Sequence, residues 1–161
     1  MIEHSEIFQV LAEMAIAVAG FAGVAAAFGG QDRSFNTADI LRLRVLFQTS
    51  ALVLSCCLGL IAMDASGMSR ELSVLCISIA ATLLTIACAF DVPLKAIKMR
   101  QEFSSVTPVS VLIGFTPSFI CAPLLLINAL LLRQEWLLIT VFSYLIFLTL
   151  WTFYRLLVNR S

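Results

Sequence analysis

Residues 7–28 read IFQVLAEMAIAVAGFAGVAAAF, with one ionisable side chain, Glu13, in the whole stretch. As a helix, about 20 apolar residues at ~1.5 Å each cross the ~30 Å hydrocarbon core of a bilayer. Residues 45–63, 72–90, 109–132 and 136–158 are stretches of the same kind. Inside a bilayer there is no water to satisfy backbone N–H and C=O groups, so a spanning chain must satisfy them itself. The expected fold is therefore all-α: a polytopic bundle of five transmembrane helices forming a single integral membrane domain over residues 1–161.

The composition agrees with that solvent. Hydrophobic residues make up 61% of the chain, charged residues 12%, and the mean hydropathy is +1.02. Ordinary soluble domains carry about 25% charged residues. Transmembrane barrels read as short alternating segments, and the apolar runs here are continuous. A formal net charge of zero leaves no global field to draw nucleic acid. The expected partners are the lipid bilayer and either a second copy or another membrane protein. Cys56, Cys57, Cys76, Cys88 and Cys121 all fall inside apolar runs, where cysteine behaves as a small hydrophobe. Neither a disulfide framework nor a metal site is expected from them, and no cofactor motif is present.

The start, Met1-Ile2-Glu3-His4-Ser5-Glu6, is acidic where a secretory signal would be basic, so residues 7–28 are read as a retained first span. That span is expected to stop at Gly29-Gly30. The third is expected to end or kink at Asp91-Val92-Pro93. Only Arg133-Gln134-Glu135 separate the last two spans, which requires a tight antiparallel hairpin.

Orientation follows from the basic residues. Arg33, Arg42, Arg44, Lys95, Lys98, Arg100, Arg155 and Arg160 fall on one side of the five-span arrangement, and Arg70 and Arg133 on the other. Cytoplasmic loops carry the excess of Lys and Arg. The N-terminus is therefore expected outside and the C-terminus in the cytoplasm, in the inner membrane of a bacterial cell. Trp136 lies eighteen residues before Tyr154, about 27 Å along a helix; with Trp151 they read as interfacial anchors. Residues 94–103 alternate basic and apolar side chains, a pattern suited to positive-inside anchoring or to a lipid-binding strip.

On a helical wheel Ala12, Ala15, Ala19, Gly23, Ala26 and Gly30 fall on one face of the first span, with Val10, Met14, Val18, Phe21 and Phe28 opposite. The repeat Ala19-x-x-x-Gly23-x-x-x-Ala27 is the small-xxx-small pattern of close helix packing. Ala12, Ala15, Ala19, Gly23 and Ala27 are thus the expected packing residues, toward a helix of the same chain or of another copy. Glu13 stands at the edge of that face, about 12 Å along the helix from Ser5. A carboxyl group at such depth must be neutral, paired or facing water, and marks a proton or ion path, a packing hydrogen bond, or a side chain that snorkels outward. Asn128, at similar depth in the fourth span, is its best-placed expected partner; Gln48, with Thr49 and Ser50, lies near the inner end of the second. Pro117 and Pro123 remove backbone donors from the fourth span, as kinks or as the lining of a path.

Enzyme chemistry finds little support. The one histidine, His4, lies in the N-terminal tail, so no histidine-based triad or buried histidine metal site can be built. The chain also lacks a phosphate loop and a paired-carboxylate motif. The triplet Leu11-Ala12-Glu13 resembles the corresponding stretch of small multidrug transporters, which carry an essential acid there. The likeness covers three residues, those proteins are shorter with four spans, and no function is carried over. The expectation is a non-enzymatic membrane subunit or packing and oligomerisation module, with an ion channel or proton-coupled carrier using Glu13 as the alternative.

Overall fold

The computed structural model describes residues 4–32, 37–102 and 120–158. Among these the chain is all helical. The helices are α1 (Ser5–Asp32), α2 (Thr37–Ala65), α3 (Arg70–Glu102), α4 (Ile120–Leu132) and α5 (Glu135–Val158). Four of them contain segments long and apolar enough to cross a membrane: Ser5–Ala27, Arg42–Ala65, Arg70–Cys88 and Glu135–Tyr154. The described part of the expected fourth span is the shorter apolar helix α4; residues 109–119, with Pro117, lie outside the described residues. Large apolar side chains are turned outward, among them Phe21, Leu83, Phe147 and Leu131, the last 78% exposed. A water-soluble domain rarely exposes so much contiguous apolar surface. Such a surface suits lipid, and the chain has the marks of a membrane protein.

The helix end expected at Gly29-Gly30 is not where the sequence places it, and of the two outcomes expected at Pro93, an end or a kink, the end does not occur. α1 continues through Gly29-Gly30 to Asp32, since glycine permits a left-handed cap but does not impose one. α3 continues through Pro93 to Glu102. Proline removes one intrahelical hydrogen bond, a local loss that the flanking turns outlast. Of the side chains in residues 94–103 nothing is described.

α2 is the central element, packed against α1, α3 and α5, while α5 also lies on α1. The main core joins Phe8, Leu11 and Ala15 of α1 to Val53, Cys57 and Leu60 of α2, Val74 and Ala81 of α3, Leu125 of α4, and Leu138 and Phe142 of α5. A second cluster, Val18 and Ala22 against Leu43 and Leu46, holds α1 to α2 nearer their other ends. Packing is close where Gly59 faces α3: a Cβ there would lie 2.9 Å from Ile77 Cδ1.

The α2–α3 connection is set by Gly67. Its φ of 75° is the left-handed conformation glycine adopts without a Cβ clash. Gly67 N–H then donates to Asp64 O (3.0 Å) and Met68 N–H to Met63 O (3.2 Å), the paired bonds of a Schellman cap. Between α4 and α5 the reversal falls on Arg133, a non-glycine residue with φ 49° and ψ 40°. Just before it, Asn128–Leu132 form a π turn, closed by Arg133 N–H donating to Asn128 O at 2.7 Å.

The face that α1 buries is not quite the expected one. Phe8, Leu11, Ala12, Ala15, Val18 and Ala22 are buried, Ala19 and Gly23 are half-buried, and Ala27 is exposed. The buried stripe is turned roughly 50° toward Leu11 and Val18 at ~100° per residue. Val18, expected to face lipid, instead packs on Leu43 and Leu46, because the larger side chain fills an interhelical gap that alanines would leave open.

Candidate functional site at the Glu135 end of the bundle

The most concentrated polar chemistry in the described residues lies where α1, α3 and α5 begin. Glu135 is the first residue of α5, and its side chain is fully buried. Arg70, the first residue of α3, places Nε 2.6 Å from Glu135 Oε1. The backbone N–H of His4, just before α1, donates to Glu135 Oε2 at 3.3 Å. One carboxylate thus ties together the starts of three helices. Its position at a helix N-terminus also suits a negative charge. An ion pair buried on one side is held by good geometry and further hydrogen bonds, and both are present here.

One turn deeper stands Asn128, with no exposed surface. Its Nδ2 donates to Ser78 Oγ of α3 at 3.0 Å. Its Oδ1 accepts from Gln134 N–H at 2.9 Å, while its backbone carbonyl takes the Arg133 N–H. The residue that opens the π turn therefore holds both connecting residues of the α4–α5 turn and fastens that turn to α3. Arg133 Nη1 faces Glu71 Oε2 at 3.6 Å on the exposed rim. Deeper in the bundle, hydroxyls bond within their own helices: Thr82 to Ser78 O, Thr85 to Ala81 O and Thr149 to Leu145 O.

The residues singled out in the sequence are dispersed. Glu13 is exposed on α1, away from its buried stripe, and accepts a hydrogen bond from Gln9 Nε2 at 3.3 Å. Asn128 bonds to Ser78 and to the α4–α5 turn, so the two share no hydrogen bond. Gln48 is half-buried on α2, beside Thr49, whose hydroxyl bonds to Val45 O. Pro123 lies on the exposed side of α4. Trp136, Trp151 and Tyr154 are all exposed, with the Trp151 and Tyr154 rings 5.9 Å apart.

Sequence reasoning missed Glu135, treating it as part of a short loop, and Ser78. The available signal was charge balance: on the side holding Arg70 and Arg133, each arginine has an acid close by in sequence, Glu71 and Glu135. Among the described residues no three His, Cys, Asp or Glu side chains come together as metal ligands.

The class these features define is a helical bundle of membrane type, fastened at one end by buried polar contacts. The chain matches no known family model, no curated protein and no solved structure.

Proposed function

We propose that the chain is a non-enzymatic, multi-pass protein of a bacterial inner membrane, acting as a packing module or subunit through partners in the bilayer. In this reading it has five spans, with the Glu135 end outside and the arginine- and lysine-rich ends in the cytoplasm. One observation carries the reading: among the described residues several interior polar groups are bonded within the bundle, while the one acid of the first span faces outward. Asn128 is held by Ser78 and Gln134, Glu135 by Arg70, and Thr82, Thr85 and Thr149 by their own helices. A conduit through one chain needs polar groups available along its interior. A carrier using Glu13 would need a path along the outside of the single chain, since Glu13 lies on the exposed side of α1.

The test is flux of protons and monovalent cations into liposomes holding the purified protein, beside isolation of the protein from its native membrane. The expected result is no flux above empty vesicles, for wild type and Glu13→Gln alike, and recovery in a complex of fixed stoichiometry. Gradient-driven flux that Glu13→Gln abolishes, with the fold intact, would overturn the packing-module reading in favour of a carrier.

A further inference from the structure

We infer that a second copy of this chain docks on the outer face of α1, closing a two-fold interface around Gln9 and Glu13. The inference rests on the membrane-module reading above, which places α1 across the bilayer. Within the apolar segment Ser5–Ala27, Glu13 lies about 12 Å along the helix from Ser5. Lipid offers a carboxyl group at that depth no hydrogen bond.

The Gln9–Glu13 bond at 3.3 Å uses one of the two amide protons and one carboxyl oxygen. The second amide N–H and the amide oxygen of Gln9 and the other carboxyl oxygen of Glu13 are left over. The least covered of the four long helices is this same α1, with 28% of its apolar window buried against 39% for each of the others.

The occupant follows from complementarity. The patch carries both a donor, the Gln9 amide, and an acceptor, the Glu13 carboxyl, one helical turn apart. A two-fold axis along the membrane normal sets two α1 helices parallel with equal residues at equal depth. Gln9 then donates its second N–H to the partner's Glu13, and the reciprocal bond forms by symmetry. A protein of different sequence would have to supply a donor and an acceptor at that depth.

The rest of the face fits a parallel pair. Glu13, Gly20 and Ala27 recur every seven residues, with Gln9 one turn before Glu13 and Ile16 between Glu13 and Gly20, the spacing of a left-handed helix seam. A Cβ added at Gly20 would meet nothing within 4 Å, so a facing backbone can approach there.

The experiment is stoichiometry in lipid nanodiscs or dilute liposomes, by single-molecule photobleaching, together with oxidative cross-linking of Gly20→Cys. Leu83→Cys, on the exposed side of α3, serves as the control, with wild type reporting any background from the native cysteines. The expected outcome is a dimer in lipid, a covalent dimer from Gly20→Cys and none from Leu83→Cys. Gln9→Leu with Glu13→Leu should weaken dimerisation about tenfold, two lost membrane hydrogen bonds, while the helical circular dichroism stays unchanged. A wild-type monomer in lipid would overturn the inference, as would a dimer indifferent to the double substitution or cross-linked only through Leu83→Cys. In native membranes, Gly20→Cys cross-linked to a different protein would overturn the second copy as occupant and leave the packing-module reading standing. Flux lost in Glu13→Gln liposomes would instead overturn that reading.

Discussion

Two carboxylates, Glu135 and Glu13, stand in opposite circumstances. Glu135 is buried, 2.6 Å from an arginine and bonded to the backbone ahead of α1. Glu13 is exposed on a helix flank with one amide for company. The first is chemistry that the chain completes by itself, so its worth is read in the stability of the single bundle. The second has bonding capacity left over within one chain, and the proposed dimer places its worth between chains. Burial, more than residue type, separates a group that holds a fold from one that offers a contact.

Substitutions can break or sharpen that contrast. The largest effect on stability is expected from Arg70→Met, which removes the arginine charge 2.6 Å from the buried Glu135 carboxylate and lowers stability by about 3 kcal/mol. Reversible unfolding in mixed detergent micelles measures it; a loss under ~0.5 kcal/mol, the range of ordinary surface changes, would mean the clamp is ornamental. Asn128→Leu should cost about 2 kcal/mol, because Gln134 N–H and Ser78 Oγ lose their partner. Hydrogen exchange at Arg133 and Gln134 should quicken in the same variant, and unchanged protection there would count against the role of Asn128 in the turn.

Gly67→Ala puts a Cβ into the left-handed turn and is expected to cost about 1 kcal/mol. Arg133→Ala breaks an exposed pair of 3.6 Å, for which a change below ~0.5 kcal/mol is expected. Smallest of all for the single bundle is Glu13→Leu, with no loss of unfolding stability under monomeric conditions. A loss as large as that of Arg70→Met would erase the difference between the two acids.

Much of this architecture is legible in the sequence and some is not, for physical reasons. Long apolar runs announce α1, α2, α3 and α5 because hydrocarbon allows few other backbone solutions. The ends are less legible: Gly29-Gly30 and Pro93 are permissive signals, and helices pass through both. On α1 the small residues correctly mark a packed side, yet its centre is displaced toward Leu11 and Val18. A wheel ranks residues by size, whereas packing selects the shape that fills the groove. Glu13 draws attention in one dimension because it interrupts an apolar run. Glu135 draws none, since a charge at the edge of a run looks like a boundary residue. Only the meeting of three helix starts turns it into a buried anchor, and that meeting is not written in local spacing.

The π turn at Asn128–Leu132 has a consequence for the length of the chain. A π turn holds one residue more than an α turn closing the same distance. Deleting one residue between Asn128 and Leu132 would let the segment relax to regular α geometry with the helix upstream kept in its present phase. Cys121 and Leu125, both now inside, would stay there. The same deletion between Cys121 and Leu125 has no extra residue to absorb it and would turn Cys121 by about 100° toward the surface. The π turn thus takes up length without rotation, so α4 should tolerate the loss of one residue inside it far better than the loss of one upstream.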